Sequence, residues 1–215
     1  MKEVILDTET TGISVKDGHR IVEIGCIELD NLLPTNNNFH CYLNPERKVS
    51  EKALEVHGYT DEFLSSKKKF KEVVDDFLSF ISDKKLIIHN AEFDLGHLNQ
   101  ELKLAGKEKI KNEVVDTLAL ARDKFPGSSI SLDALCKRYK IDNSKRTQHT
   151  ALVDCDLLAK VYINLIHQKE PTLDFQKSES TSKDQRKEKV LYFKKVIKPT
   201  SVEIENHKKY LKISL

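Results

Sequence analysis

The stretch Val4-Ile5-Leu6-Asp7-Thr8-Glu9-Thr10-Thr11-Gly12 constrains this chain more than any other. Three apolar residues, two of them β-branched, predict a buried strand. Strand side chains alternate between faces, so Asp7 and Glu9 point the same way, one pleat apart. Two carboxylates on one face repel, and a divalent cation relieves that repulsion. Thr10, Thr11 and Gly12 add small residues and backbone N–H groups beside the acids, which suits close approach of a substrate backbone. Asp-x-Glu also occurs where a strand simply ends in solvent, so the remaining chain has to decide between the two readings.

Further along, Arg20–Leu29 predicts a second strand, Leu32–Asn38 a turn around Pro34 and three asparagines, and Phe39–Leu43 a third strand. Short links between them imply an antiparallel meander. Ser50 is placed to cap a short helix that ends at His57-Gly58, and Thr60 to cap the next turn. Phe70, Val73, Val74, Phe77, Leu78 and Ile81 share one helical face and predict a core helix without chemistry. Lys85–Asn90 predicts a fourth strand, followed by a helix from Ala91 to Ala105, which Gly106 closes. Val114-Val115 is a short fifth strand, Leu118–Phe125 a helix, and Ser131 caps another over Leu132–Tyr139. A basic loop then leads through His149 into a long helix from Ala151 to Leu165.

Asp94 falls in the first turn of its helix. It is either a partner for the helix dipole or a third carboxylate facing the crevice of Asp7 and Glu9. Ligands gather at the carboxyl ends of strands in open α/β sheets, which favours the crevice. Asp154 lies inside the last helix. A helical residue five positions earlier is turned by roughly 140°. His149 therefore reaches the same site only from the loop before the helix, a position that suits a proton acceptor better than a fixed ligand. A solvent-exposed loop histidine is the alternative.

At 215 residues the chain is long enough for one compact domain with an appendage. Net charge is only +2, too little for a strong free-standing nucleic-acid binder, so a second protein is expected to hold any nucleic-acid substrate nearby. No apolar run reaches bilayer length, and a strand beginning near residue 3 leaves no room for a cleaved leader. Cys26, Cys41, Cys136 and Cys155 lack metal-type spacing and suit buried, reduced thiols. The expected location is cytoplasmic, with no membrane contact.

Asp7-x-Glu9 with Thr10-Thr11-Gly12, His89-Asn90-Ala91-x-Phe93-Asp94 and His149-x4-Asp154 resemble, in order and spacing, the three exonuclease motifs of the DEDD superfamily, histidine branch. Val56-His57-Gly58-Tyr59-Thr60-Asp61-Glu62-Phe63-Leu64, Phe125-Pro126-Gly127, Ser131-Leu132-Asp133-Ala134-Leu135-Cys136 and Ile141-Asp142-Asn143-Ser144-Lys145-Arg146-Thr147 are similar to the DnaQ-like epsilon subunits of bacterial DNA polymerase III. The likeness covers about residues 2–168. It implies an α/β, ribonuclease H-like fold: a mixed five-stranded sheet flanked by helices, with a flexible C-terminal tail.

The implied activity is 3′→5′ proofreading hydrolysis of single-stranded DNA ends, releasing nucleoside 5′-monophosphates. Two divalent cations about 3.5–4 Å apart serve such chemistry. Oxygen ligands indicate Mg²⁺ or Mn²⁺. By this resemblance Asp7 bridges both cations, Glu9 and Asp154 complete one site, Asp94 holds the other, and His149 is the general base. Thr8 and Thr10 lie beside the terminal sugar, while Val56, His57 and Phe93 pack the terminal nucleotide. Phe93 is equally compatible with a core position.

Three segments follow from composition and resemblance: an exonuclease domain over 1–168, a polar linker over 169–189, and a tail over 190–215. Val190–Phe193, and Ile204, Tyr210, Leu211 and Ile213, are apolar islands in charge that cannot form a core alone. Thr200–His207 resembles the part of the epsilon subunit that binds the polymerase alpha subunit. Glu170-Pro171-Thr172-Leu173-Asp174-Phe175 resembles sliding-clamp-binding peptides, with Glu170 where glutamine is usual. Two other readings remain: a stand-alone DNA-repair or RNA-trimming exonuclease of the RNase T kind, and a catalytically idle polymerase-stabilising subunit. The linker and tail argue against the first, and the full set Asp7, Glu9, Asp94, His149 and Asp154 against the second.

Overall fold

The structure, a computed structural model, describes residues 2–144, 146, 148–167 and 199–213. The chain divides into two compact units, Met1–Pro171 and Thr172–Leu215. The expected linker, the island at 190–193 and the segment 170–175 lie outside the described residues.

The first unit is built on a mixed five-stranded sheet. Strands β1 (Lys2–Thr10), β2 (Ile21–Asp30) and β3 (Leu33–Tyr42) form the antiparallel meander, and β4 (Lys85–Ile88) and β5 (Val114–Asp116) run parallel to β1 on its other side. The order is β3-β2-β1-β4-β5, so β1 is central and Val4, Ile5 and Leu6 are wholly buried. The segment Leu32–Asn38, expected to be a turn, is instead largely strand: β3 starts at Leu33 and runs through Pro34 and the asparagines. Proline is tolerated there because β3 is an edge strand, and the pairing with β2 is irregular between Ile27 and Leu29.

The helices are α1 (Glu51–His57), α2 (Asp61–Ser65), α3 (Val74–Ile81), α4 (Ala91–Leu104), α5 (Thr117–Lys124), α6 (Leu132–Tyr139) and α7 (Ala151–His167). Ser50, Thr60 and Ser131 cap as their sequence positions suggest, each accepting the backbone N–H three residues on. Gly58 takes the left-handed conformation after α1. The helix expected over 70–81 is broken: Phe70–Glu72 is a 3₁₀ turn and α3 begins at Val74, although Phe70, Val73, Val74, Phe77 and Ile81 are all buried.

The period-two alternation of β1 divides the core. Val4 and Leu6 pack with Phe77, Leu98 and Leu102 from α3 and α4, whereas Ile5 packs with Leu135, Leu158 and Val161 from α6 and α7. The odd-numbered side of β1 therefore faces α7: Tyr162 donates to Glu3 at 3.0 Å, and Cys155 Sγ donates to the Ile5 carbonyl at 3.7 Å. Asp7 and Glu9 continue that side toward the start of α7. Gly25, paired with Asp7 across the sheet, lets the helix come close, since a Cβ there would lie 2.5 Å from the Ala151 carbonyl carbon. The four cysteines are unpaired, and three of them are fully buried.

The described part of the second unit is helix α8 (Ser201–Ile213). Thr200 and Glu203 form a reciprocal cap: the Thr200 hydroxyl accepts the Glu203 N–H at 3.3 Å, and the Glu203 carboxylate accepts the Thr200 N–H at 2.7 Å. Val202 and Tyr210 are largely exposed on this helix.

Candidate active site

The cleft lies beyond the carboxyl ends of the parallel strands β1 and β4. Asp7 and Glu9 come from β1, His89 and Asn90 from the turn after β4, Asp94 from α4, and Asp154 from α7. These residues, with Thr8, Phe93, Ser131, Leu132, Asp133, Arg146, His149 and Leu158, line a cavity of about 300 Å³. All five proposed catalytic residues are thus brought to one place. Thr8 points to the α4 side of β1, where its hydroxyl donates to Asp94 Oδ1 at 2.7 Å. Asp94 is buried and faces the crevice, so helix-dipole stabilisation is not its whole role.

Glu9, His149 and Asp154 bring one ligand atom each within 4.8 Å of one another. His149 stands before α7, in the loop, and its N–H donates to the Val56 carbonyl at 3.1 Å. This answers the five-residue spacing that a helix could not accommodate. His149 remains substantially exposed, whereas the Asp154 side chain is almost fully buried.

The acids are crowded and poorly hydrated. Burial, then Asp94, Glu9 and Asp154, hold the Asp7 carboxyl well above the usual range. Burial, then Asp154 and Glu23, push Glu9 up to about 8, and burial pushes Asp94 up to about 7 against the hydrogen bond from Thr8. Burial and the neighbouring Arg146 push His149 down, favouring neutral imidazole. These shifts make a prediction. Between about 4.5 and about 8 the folded chain keeps on Glu9 a proton that the unfolded chain has released. Folding then takes up protons, and stability falls as pH rises through this window. Glu28, held near 2 by Lys84 and Lys2, titrates below it. The histidines His57, His89, His97 and His149, all pushed down by burial, act in the opposite direction at lower pH. Thermal melts in EDTA should therefore show a lower melting temperature at pH 8 than at pH 7, with saturating Mn²⁺ restoring most of the loss at pH 8. A flat profile in EDTA would contradict the crowding.

A second depression of about 430 Å³ adjoins the cleft and shares Glu9 and Phe93 with it; Thr10, Val56 and His57 also line it. Val56 is partly exposed and Phe93 half-buried. His57 is buried, accepts the Tyr59 N–H on Nδ1 at 3.0 Å and donates from Nε2 to the Thr10 carbonyl at 3.2 Å, which fixes a neutral tautomer. Thr10 donates its hydroxyl to the Gly12 carbonyl at 2.8 Å.

Two residues at the site were not singled out from sequence. Glu23, opposite Glu9 on β2 and fully buried, accepts the Ala151 N–H at 2.9 Å and the Tyr59 hydroxyl at 2.8 Å, and pairs with His40 at 2.7 Å. It anchors the start of α7. An acid between Val22 and Ile24 in an apolar strand was the available signal. Arg146 forms a two-pronged ion pair with Asp154, at 2.5 and 2.8 Å. In sequence it was one of several basic loop residues.

A central β1 carrying two acids, joined by a third from α4 and a fourth from α7 beside a loop histidine, is the architecture of an exonuclease. The RNase_T exonuclease family matches residues 4–162. The DNA polymerase III subunit epsilon of Rickettsia felis is 48% identical over 219 residues, spanning 98% of this chain and 96% of that protein. The Escherichia coli K12 subunit is 49% identical over 170 residues, 75% of this chain and 70% of that one. The chain belongs to this exonuclease family and, within it, to the DNA polymerase III epsilon subunits, the proofreading exonucleases.

Among solved structures, exonuclease X in complex with 5′ overhanging duplex DNA is 25% identical with a TM-score of 0.62, covering 77% of this chain and 92% of that one. The nuclease domain of 3′hExo, a DEDDh family member bound to rAMP, shares the fold at 18% identity and a TM-score of 0.65, covering 76% and 90%. Among the described residues no helix is long and apolar enough to cross a membrane.

Proposed function

We propose that this exonuclease removes nucleotides one at a time from single-stranded DNA 3′ ends, with two divalent cations, Mg²⁺ or Mn²⁺, as the replicative polymerase's proofreader. The observation that carries this reading is the convergence of Asp7, Glu9, Asp94, Asp154 and His149 on one cleft. The donor set fits hard cations: four carboxylates, three of them raised by burial and by neighbouring carboxylates, so that a cation would relieve them. Asp7 would serve both cations, Glu9 and Asp154 the first, and Asp94 the second. When bound, the cations supply water activation, neutralisation at phosphorus and stabilisation of the leaving oxygen.

The chain's own groups do the rest. Asp7, Glu9, Asp94 and Asp154 fix the geometry, and Thr8 holds Asp94 in place. His149, held in the loop before α7, takes the water's proton. Phe93, Val56 and His57 grip the terminal nucleotide through the adjoining depression, where an aromatic face binds any base without reading it. Thr8 and Thr10 contact the terminal sugar through the backbone, since both hydroxyls are engaged internally. β4 pairs with β1 only as far as Ile5, leaving that backbone edge free of β4 beyond it.

The tail is read as the anchor to the alpha subunit of DNA polymerase III, supported by the exposed Val202 and Tyr210 of α8. The segment 170–175 is read as a weak clamp contact, strengthened by tethering through the polymerase. Truncation after Gln168 should therefore leave nucleoside 5′-monophosphate release from short single strands intact while abolishing co-elution with the polymerase. Release from 5′ ends, or a truncated chain that still co-elutes, would refute the corresponding part.

A further inference from the structure

Arg146 occupies the carboxylate that the proposed chemistry needs for a cation. Its Nε donates to Asp154 Oδ1 at 2.5 Å and its Nη2 to Oδ2 at 2.8 Å, so both oxygens are engaged by one guanidinium. Nη2 also lies 2.8 Å from His149 Nδ1 and donates to its lone pair. Nη1 donates to Asp133 Oδ2 at 2.7 Å, which tethers the group from outside the acidic set. The Arg146 side chain is only 7% exposed. The same residue lines a further cavity of about 440 Å³ on the flank of α7, together with Asp142, Asp156 and Lys160. Arg146 thus stands between two cavities, each carrying carboxylates.

We propose that Arg146 is a built-in competitor for the cation at Asp154, pairing with that carboxylate and with His149 until a divalent ion displaces it toward the cavity beside Asp142 and Asp156. The proposal rests on the metal reading above. A guanidinium and a divalent ion on the same two oxygens repel each other strongly in a poorly hydrated cleft. In the paired state Arg146 engages both oxygens of Asp154 and holds Nδ1 of His149. Cation entry then frees both groups together, coupling base release to metal loading. The exchange involves no bond making or breaking beyond hydrogen bonds and coordination.

The test is Mn²⁺ titration of the full chain, with free Mn²⁺ read by electron paramagnetic resonance, alongside melts in EDTA and in saturating Mn²⁺. Arg146→Met keeps the stem and removes the charge. It should bind Mn²⁺ about tenfold or more tightly than the wild type, the scale of a lost charge-assisted pair. It should also melt lower than the wild type in EDTA, with the gap narrowing in Mn²⁺. Unchanged affinity with an equal loss of stability in both conditions would make Arg146 merely structural and overturn the proposal. Weaker binding would mean that arginine and cation share Asp154, and would overturn it too. Asp133→Asn weakens the outer tether to Arg146 while keeping an amide oxygen to accept from Asn143, and guards against misfolding of the first variant. It should tighten Mn²⁺ binding less, in the same direction, and equal or weaker binding there also counts against the proposal. A wild-type chain that binds no Mn²⁺ would instead remove the metal reading itself.

Discussion

Alanine in place of Asp7 is expected to lower hydrolysis of single-stranded DNA by about 10³-fold or more, because metal-assisted charge stabilisation contributes several kcal/mol and each 1.4 kcal/mol is about tenfold in rate. Asp7 lines the cleft from the α7-facing side of β1, and its carboxyl is held well above the usual range by burial and by Asp94, Glu9 and Asp154. The same crowding gives a second readout. Asp7→Asn preserves shape and removes one repelling charge, so at pH 8 in EDTA the variant should melt higher than the wild type while being just as inactive. A protein damaged by misfolding would melt lower. Full activity in excess EDTA, or in Asp7→Ala, would sink the metal reading.

His149→Ala should slow hydrolysis by roughly 10²–10⁴-fold, the usual contribution of a positioned base, with Mn²⁺ affinity changed far less than in an Asp154 variant. The pH dependence has a definite sign. A protonated imidazole cannot accept the water's proton, so the wild-type rate falls on acidification as His149 becomes charged. Burial, the largest influence on this group, pushes that protonation below the ordinary histidine value, so activity should persist into mildly acidic buffer before it drops. In His149→Ala the limb due to this group should vanish from single-turnover rates, leaving only the titration of the carboxylates. An unchanged rate across pH would refute the assignment.

Much of the site was legible because its chemistry is local to short motifs. Strand alternation put Asp7 and Glu9 on one face, and both line the cleft. The five-residue spacing excluded His149 from the helix of Asp154, and α7 does begin after it, at Ala151. Ser50, Thr60 and Ser131 cap their helices because a cap depends on only four consecutive residues. The turn expected at Leu32–Asn38 was overridden: proline and asparagine disfavour a central strand, but β3 lies at the sheet edge, and edge position is a property of topology. The helix expected over 70–81 kept its buried face and lost its continuity, because side-chain periodicity reports burial and leaves a change of helical pitch unmarked.

By itself, then, the sequence determined the strand of paired acids, the helices that carry Asp94 and Asp154, and the loop position of the histidine, all of which follow from interactions over a few residues. Tertiary structure alone decided which charges meet. Glu23 reaches the start of α7 across 128 positions of sequence, and Arg146 reaches Asp133, His149 and Asp154 at once. A buried acid in a strand and an arginine in a basic loop have many possible partners when only their neighbours in the chain are known. Packing α7 against β1 and β2, through the gap that Gly25 leaves, selects one set and fixes the charge balance of the cleft.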